Sequence, residues 1–122
     1  MTRVRLNGEV RARIHSATTA PLIDISETGA LVEVGGPLRP GSQYVFRLPS
    51  GSRELTLRCL VVRCYIDRFE RVGEENVPRY RAAVAFADVS ASDRDALRAQ
   101  LRAYAPTPPE GGPGDFDEEL DQ

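Results

Sequence analysis

Asp24, Ser26 and Gly29 are the residues whose types and spacing come nearest to a binding chemistry. Leu22 to Ser26 alternates, with Ile23 and Ile25 turned one way and Asp24 and Ser26 the other, so a carboxylate acceptor and a hydroxyl donor would share one face of a strand. Glu27-Thr28-Gly29 then turns the chain. Gly29 can take positive φ there, and its missing side chain would let a ligand approach the backbone. Taken alone, the same three residues read first as the cap of a tight turn.

Other chemistry has fewer candidates. Cys59 and Cys64 lie five apart in what reads as one strand, so alternation sends them to opposite faces, out of reach of a shared disulfide. His15 is the only histidine, and no Cys-x-x-Cys pair stands beside it, so no metal site is expected. There is no Gly-x-Ser-x-Gly elbow, no Cys-His pairing with an orienting group and no phosphate-binding P-loop, and the evident acid pairs fall in loops or in the tail. The expectation is a binding protein, not an enzyme, with no cofactor.

The elements that must position Asp24, Ser26 and Gly29 are mostly strands. Val10 to His15 alternates as a first strand, Leu22 to Ser26 as a second, Ala30 to Val34 as a third, and Gln43 to Leu48 as a fourth that ends at Pro49. Leu55 to Ile66 changes phase midway, which calls for a bulge near Leu60. Asp67 to Val77 reads as polar loop, and Arg79 to Phe86 alternates again with Tyr80, Ala82, Val84 and Phe86 inward. Ser90 or Ser92 caps a helix that runs to about Tyr104, with Leu97, Leu101 and Tyr104 as its core stripe. Arg94, Arg98 and Arg102 line another stripe of that helix and read as a solvated face. The fold class is mainly β, a six-stranded antiparallel β-barrel with one C-terminal α-helix.

Composition agrees with one domain. The chain has 122 residues, and no apolar run approaches the roughly 20 needed to cross a bilayer. No apolar stretch follows the first charged residues, so a cytoplasmic location is expected, with no membrane insertion. All sixteen basic residues are arginine. Residues 106–122 are rich in Pro, Gly and acid, and read as a disordered tail behind a domain of residues 1–105. Residues 1–105 carry sixteen bases against twelve of the eighteen acids, a mild excess that suits an anionic ligand but not a duplex-DNA footprint. A barrel for single-stranded nucleic acid would interleave exposed aromatic and basic residues, whereas Tyr44, Phe46, Tyr80 and Phe86 sit on apolar faces. No nucleic-acid polymer is expected as a partner.

Asp24-Ile25-Ser26-Glu27-Thr28-Gly29, followed by Ala30-Leu31, resembles the Asp/Asn-x-Ser-x-x-Gly signature of PilZ domains, bacterial receptors for the second messenger cyclic di-GMP. The order of elements resembles them too, with a Val61-Val62-Arg63 segment and an Ala-Val-Ala-Phe strand leading into the helix. The resemblance spans residues 1–104. It implies that Asp24 accepts from guanine ring N–H groups while Ser26 donates, with Gly29 admitting the ligand. It also implies an extended arm bearing Arg-x-x-x-Arg. Here that motif is incomplete: counted back from Arg5 its first position falls on Met1, and counted forward from Arg3 its second falls on Asn7. Arg3 and Arg5 remain as arm residues, facing one side at about 7 Å. The implied function is a cyclic di-GMP receptor that relays to a protein partner in motility or surface behaviour. The alternative is a PilZ adaptor that no longer binds the nucleotide and acts through protein contacts.

Overall fold

The computed structural model describes residues 3–8, 10–14 and 18–104, and the readings made for His15 and for the tail at 106–122 lie outside them. Among the described residues seven strands and one helix follow one another: β1 (Val4–Arg5), β2 (Arg11–Ile14), β3 (Thr18–Ile25), β4 (Gly29–Val34), β5 (Gln43–Ser50), β6 (Arg53–Val72), β7 (Glu75–Ala87) and α1 (Ala91–Tyr104). All pairings are antiparallel. The order β1-β3-β2-β5-β6-β7-β4, with β3 also pairing β4, closes six strands into a ring and leaves β1 as a short addition on β3.

Alternation fills the ring. Ala12 and Ile14, Phe46 and Leu48, Leu57, Cys59 and Val61, and Ala82 and Val84 all turn inward and are buried. Phe86 meets Phe46 edge to face at 5.1 Å between ring centres, a favourable aromatic geometry. Leu97 and Leu101 bury one stripe of α1, which packs against β6. Ser90 starts the helix, because its hydroxyl accepts from the Asp93 N–H at 3.0 Å. At the other end the Tyr104 hydroxyl donates to the Pro49 carbonyl at 3.0 Å.

β6 departs most from the sequence reading. Its phase change is a bulge between Val61 and Arg63, two residues beyond the expected place, and a second bulge falls between Ile66 and Arg68. The first bulge resets the alternation, so Cys64 faces inward like Cys59 and packs against the core, contrary to the opposite faces expected of them. Both thiols are free.

Asp67 to Val77 is not a loop. β6 and β7 continue pairing through Phe69↔Pro78, Arg71↔Asn76 and Val72↔Glu75, and only Gly73 and Glu74 turn between them. Gly73 has φ of 63°, as the first central residue of a type II′ hairpin turn requires. The segment reads as polar because a ribbon exposed on both faces has no buried side to impose an apolar period.

Candidate functional site

The arm is anchored as a strand. Val4 pairs Ile25 and Arg5 pairs Asp24, while the Leu6 N–H donates to the Ile23 carbonyl at 2.8 Å and the Gly8 N–H to the Leu22 carbonyl at 2.6 Å. Val4 and Leu6 are buried and Arg3 and Arg5 are exposed, so the two arginines stand together on the outside of the ring, as their spacing predicts. The Arg3 guanidinium forms an ion pair with the Asp24 carboxylate. Arg5 stands directly across the ladder from Asp24.

Ser26 is placed differently from its expected position beside Asp24. β3 ends at Ile25, so Ser26 no longer follows the pleat, and it is only 1% exposed. Its N–H donates to the Gly29 carbonyl at 2.8 Å, and its Oγ accepts from the Thr28 N–H at 3.3 Å and lies 3.3 Å from the Thr28 hydroxyl. The hydroxyl therefore holds the turn from within.

Gly29 has a packing reason for its missing side chain. It is not in the positive-φ region expected of it; instead, a Cβ at this position would lie 2.2 Å from the Val84 carbonyl oxygen. β7 can pair with β4 through Gly29↔Ala85 only because the position is bare.

These elements leave a cleft of about 370 Å³ on the outside of the ring. Gly29 and Leu31 of β4 and Ala83 and Ala85 of β7 lie side by side in its lining, with Arg3 and Asp24 from the arm and β3, and Arg63 from β6. The floor is low because most of its side chains are absent or a single methyl, so a planar group can lie flat on it. Two guanidinium groups and a carboxylate then offer donors and acceptors around that group. Of the residues expected from sequence, Arg3, Asp24 and Gly29 line the cleft; Arg5 stands beside Asp24, and Ser26 shapes the turn beneath.

The sequence alone does not mark Arg63 as a site residue. It follows the bulge, and the shift turns its side chain to the outer face across from Ala83. Its guanidinium carbon lies 5.6 Å from the centre of the Tyr65 ring, a cation–π contact that orients it. The available signal was the phase change in β6, because an arginine just past a bulge is carried onto the other face.

The signature turn also touches the helix. Glu27 accepts from Arg98 Nε at 2.9 Å, so one member of the arginine stripe read as solvated has a partner in the turn. Cys59, by contrast, lies away from the cleft. Burial pushes its thiol from 9.0 up to about 11, which keeps it protonated and unreactive near neutral pH.

Comparison with known proteins agrees with this architecture. The PilZ domain family model matches residues 2–103. Among solved structures, the PilZ domain of Escherichia coli YcgR with c-di-GMP is similar at 16% identity and a TM-score of 0.67, over 84% of this chain and 88% of that one. The Bacillus subtilis inhibitor of motility MotI/DgrA is similar at 16% identity and a TM-score of 0.61, over 84% of this chain and 49% of that one. The K. pneumonia MrkH complex with c-di-GMP is similar at 18% identity and a TM-score of 0.60, over 83% of this chain and 49% of that one. The chain thus corresponds to about half the length of the last two. No curated protein sequence matches it. At these identities the structural likeness is one of fold.

Proposed function

The chain belongs to the PilZ domain family, and from that premise we propose that it is a non-enzymatic signalling protein that binds cyclic di-GMP in the cleft between its arm, its signature turn and β6, and relays occupancy to a protein partner. The observation that carries this reading is the placement of Arg3, Asp24 and Arg63 around the floor made by Gly29, Ala83 and Ala85. Cyclic di-GMP presents two flat guanines and two anionic phosphates. The floor suits the flat group, and Asp24 can accept from its ring N–H groups while Arg3 and Arg63 donate to its carbonyl, ring nitrogen or phosphate oxygens. Arg63 takes up the part of the guanidinium missing from the arm motif. Arg5, on the same face as Asp24, extends the donor set, and Ser26 fixes the turn that presents Asp24 and Gly29.

The relay follows from the same geometry. Arg3 is tied to Asp24 in the free protein, so a ligand that competes for this carboxylate shifts the arm, and β1 is only two residues long. Such a short addition to a sheet is the least stable part of it, and ordering or displacing it changes the surface a partner meets. YcgR and MrkH are described with c-di-GMP, and MotI is described as an inhibitor of motility; these descriptions support a role in motility or surface behaviour. The second reading, an adaptor that no longer binds nucleotide, draws on the same ion pair: with Arg3 already neutralised by Asp24, the cleft has one uncommitted guanidinium fewer to offer a phosphate.

Calorimetric titration of cyclic di-GMP into the protein tests the proposal. Binding at micromolar or tighter affinity, weakened about ten- to a hundredfold by Arg63→Ala, is the expected result, since a bidentate arginine contact is worth about 1–3 kcal/mol. Absence of heat and of any thermal shift at high ligand would leave the adaptor.

A further inference from the structure

Beyond the ring, β6 and β7 run on as a two-stranded ribbon. β5 stops pairing with β6 at Leu60 and β4 stops pairing with β7 at Tyr80. Among the described residues no strand covers either edge of the ribbon past these points. Ile66, Phe69 and Val72 are 47%, 64% and 51% exposed on it, which makes Phe69 the most exposed large apolar side chain among the described residues.

The two edges are not equivalent. A two-residue turn makes Val72 and Glu75 the closing hydrogen-bonded pair, so Glu70 and Arg68 bond inward to β7, while Phe69 and Arg71 turn their N–H and C=O groups outward. On β7 the residue facing outward opposite Phe69 is Pro78, which has no N–H to offer. The β7 edge is thereby blocked against a further strand, and the β6 edge is open.

The open edge is complementary to itself. Asp67-Arg68-Phe69-Glu70-Arg71 reads acidic, basic, apolar, acidic, basic. Laid antiparallel on a second copy about a two-fold axis at Phe69, the regular stretch past the second bulge sets Arg68 against Glu70 and Phe69 against Phe69, while Asp67, the bulged residue, keeps its contacts with Arg68 and Arg81 in its own chain. Moving the axis by one residue sets Arg68 against Arg68 or Glu70 against Glu70, and like charges directly opposite are destabilising. One register therefore opposes Arg68 to Glu70 on both sides of the axis, and it is the register in which the outward Phe69 backbone groups face each other.

We propose that the β6 ribbon is a self-association surface, pairing with the same segment of a second copy of this chain, edge to edge about Phe69. The pairing would join two rings through one continuous sheet, cover Phe69, and leave both clefts facing solvent. Arg68 also pairs with Glu33 at 3.1 Å and Glu70 with Arg79 at 2.6 Å within the chain. These are exposed contacts that share their charges readily with an incoming partner. The inference does not rest on nucleotide binding.

Sedimentation equilibrium of the full chain, from low to high micromolar concentration, tests it with two single variants. The wild type is expected to dimerise. Arg68→Glu and Glu70→Arg each replace two opposite-charge pairs of the dimer by like-charge pairs and are expected to weaken it about tenfold or more. Mixing the two variants is expected to restore a dimer, because each then supplies the charge that the other lacks. Circular dichroism of each variant confirms that the ring is intact. A wild type that stays monomeric throughout, a dimer indifferent to both substitutions, or a mixture no tighter than either variant alone would each overturn the proposal.

Discussion

Glu27 and Arg98 meet at 2.9 Å, which ties the signature turn to the C-terminal helix across the outside of the ring. Both side chains are partly exposed, so the pair contributes little to global stability. Arg98→Ala is expected to cost no more than about 1 kcal/mol in urea unfolding while speeding amide exchange in the Ser26–Gly29 turn. A loss of several kcal/mol would mean that the pair supports the core and does not merely tether the turn.

Gly29→Ala should be far more damaging than an exposed glycine replacement. The new Cβ would press on the Val84 carbonyl, which lies 2.2 Å from its position, and backbone cannot yield as a side-chain tip does. The expected cost is about 1–3 kcal/mol in denaturant unfolding. Gly36→Ala, in open space, serves as the reference and is expected to change little.

Ser26→Ala removes a buried hydroxyl that accepts from the Thr28 N–H. Stability is expected to fall by about 1 kcal/mol, and cyclic di-GMP binding to weaken with it, because the turn presenting Asp24 and Gly29 loosens. If binding fell with no change in the unfolding midpoint, Ser26 would have to touch the ligand directly.

Cys59 gives the protein an alkaline weakness. Burial raises its folded pKa to about 11 from 9.0. Above about pH 9 the unfolded thiol ionises while the folded one keeps its proton, so the folded state binds more protons and stability falls as pH rises toward 11. Unfolding midpoints measured between these values should drop more steeply than in Cys59→Ala. At pH 8, alkylation should mark Cys64 before Cys59, since Cys59 is buried and protonated.

Much of this architecture was legible in the sequence because a ring buries one face of each strand and so writes its period into the chain. β4, β5 and the inward half of β7 follow that period, and Ser90 with Asp93 marked the helix start. The ribbon was not legible, since strands wet on both sides need no apolar alternation. The site was legible in part. Asp24 and the arm arginines could be placed on one outer face by counting, but Ser26 leaves the pleat where β3 ends, and counting by two fails there. A glycine in a turn suggests backbone freedom, but the constraint on Gly29 is a carbonyl on a strand more than fifty residues away in the chain, which no local pattern records. Arg63 was hidden by the bulge that carries it outward.

The most direct test of the central claim is an amide chemical-shift map of the protein titrated with cyclic di-GMP. Saturable shifts concentrated at Arg3, Asp24, Gly29, Leu31, Arg63, Ala83 and Ala85 are expected if the nucleotide occupies the cleft. No perturbation at ligand excess, or one confined to other faces of the ring, would contradict that claim.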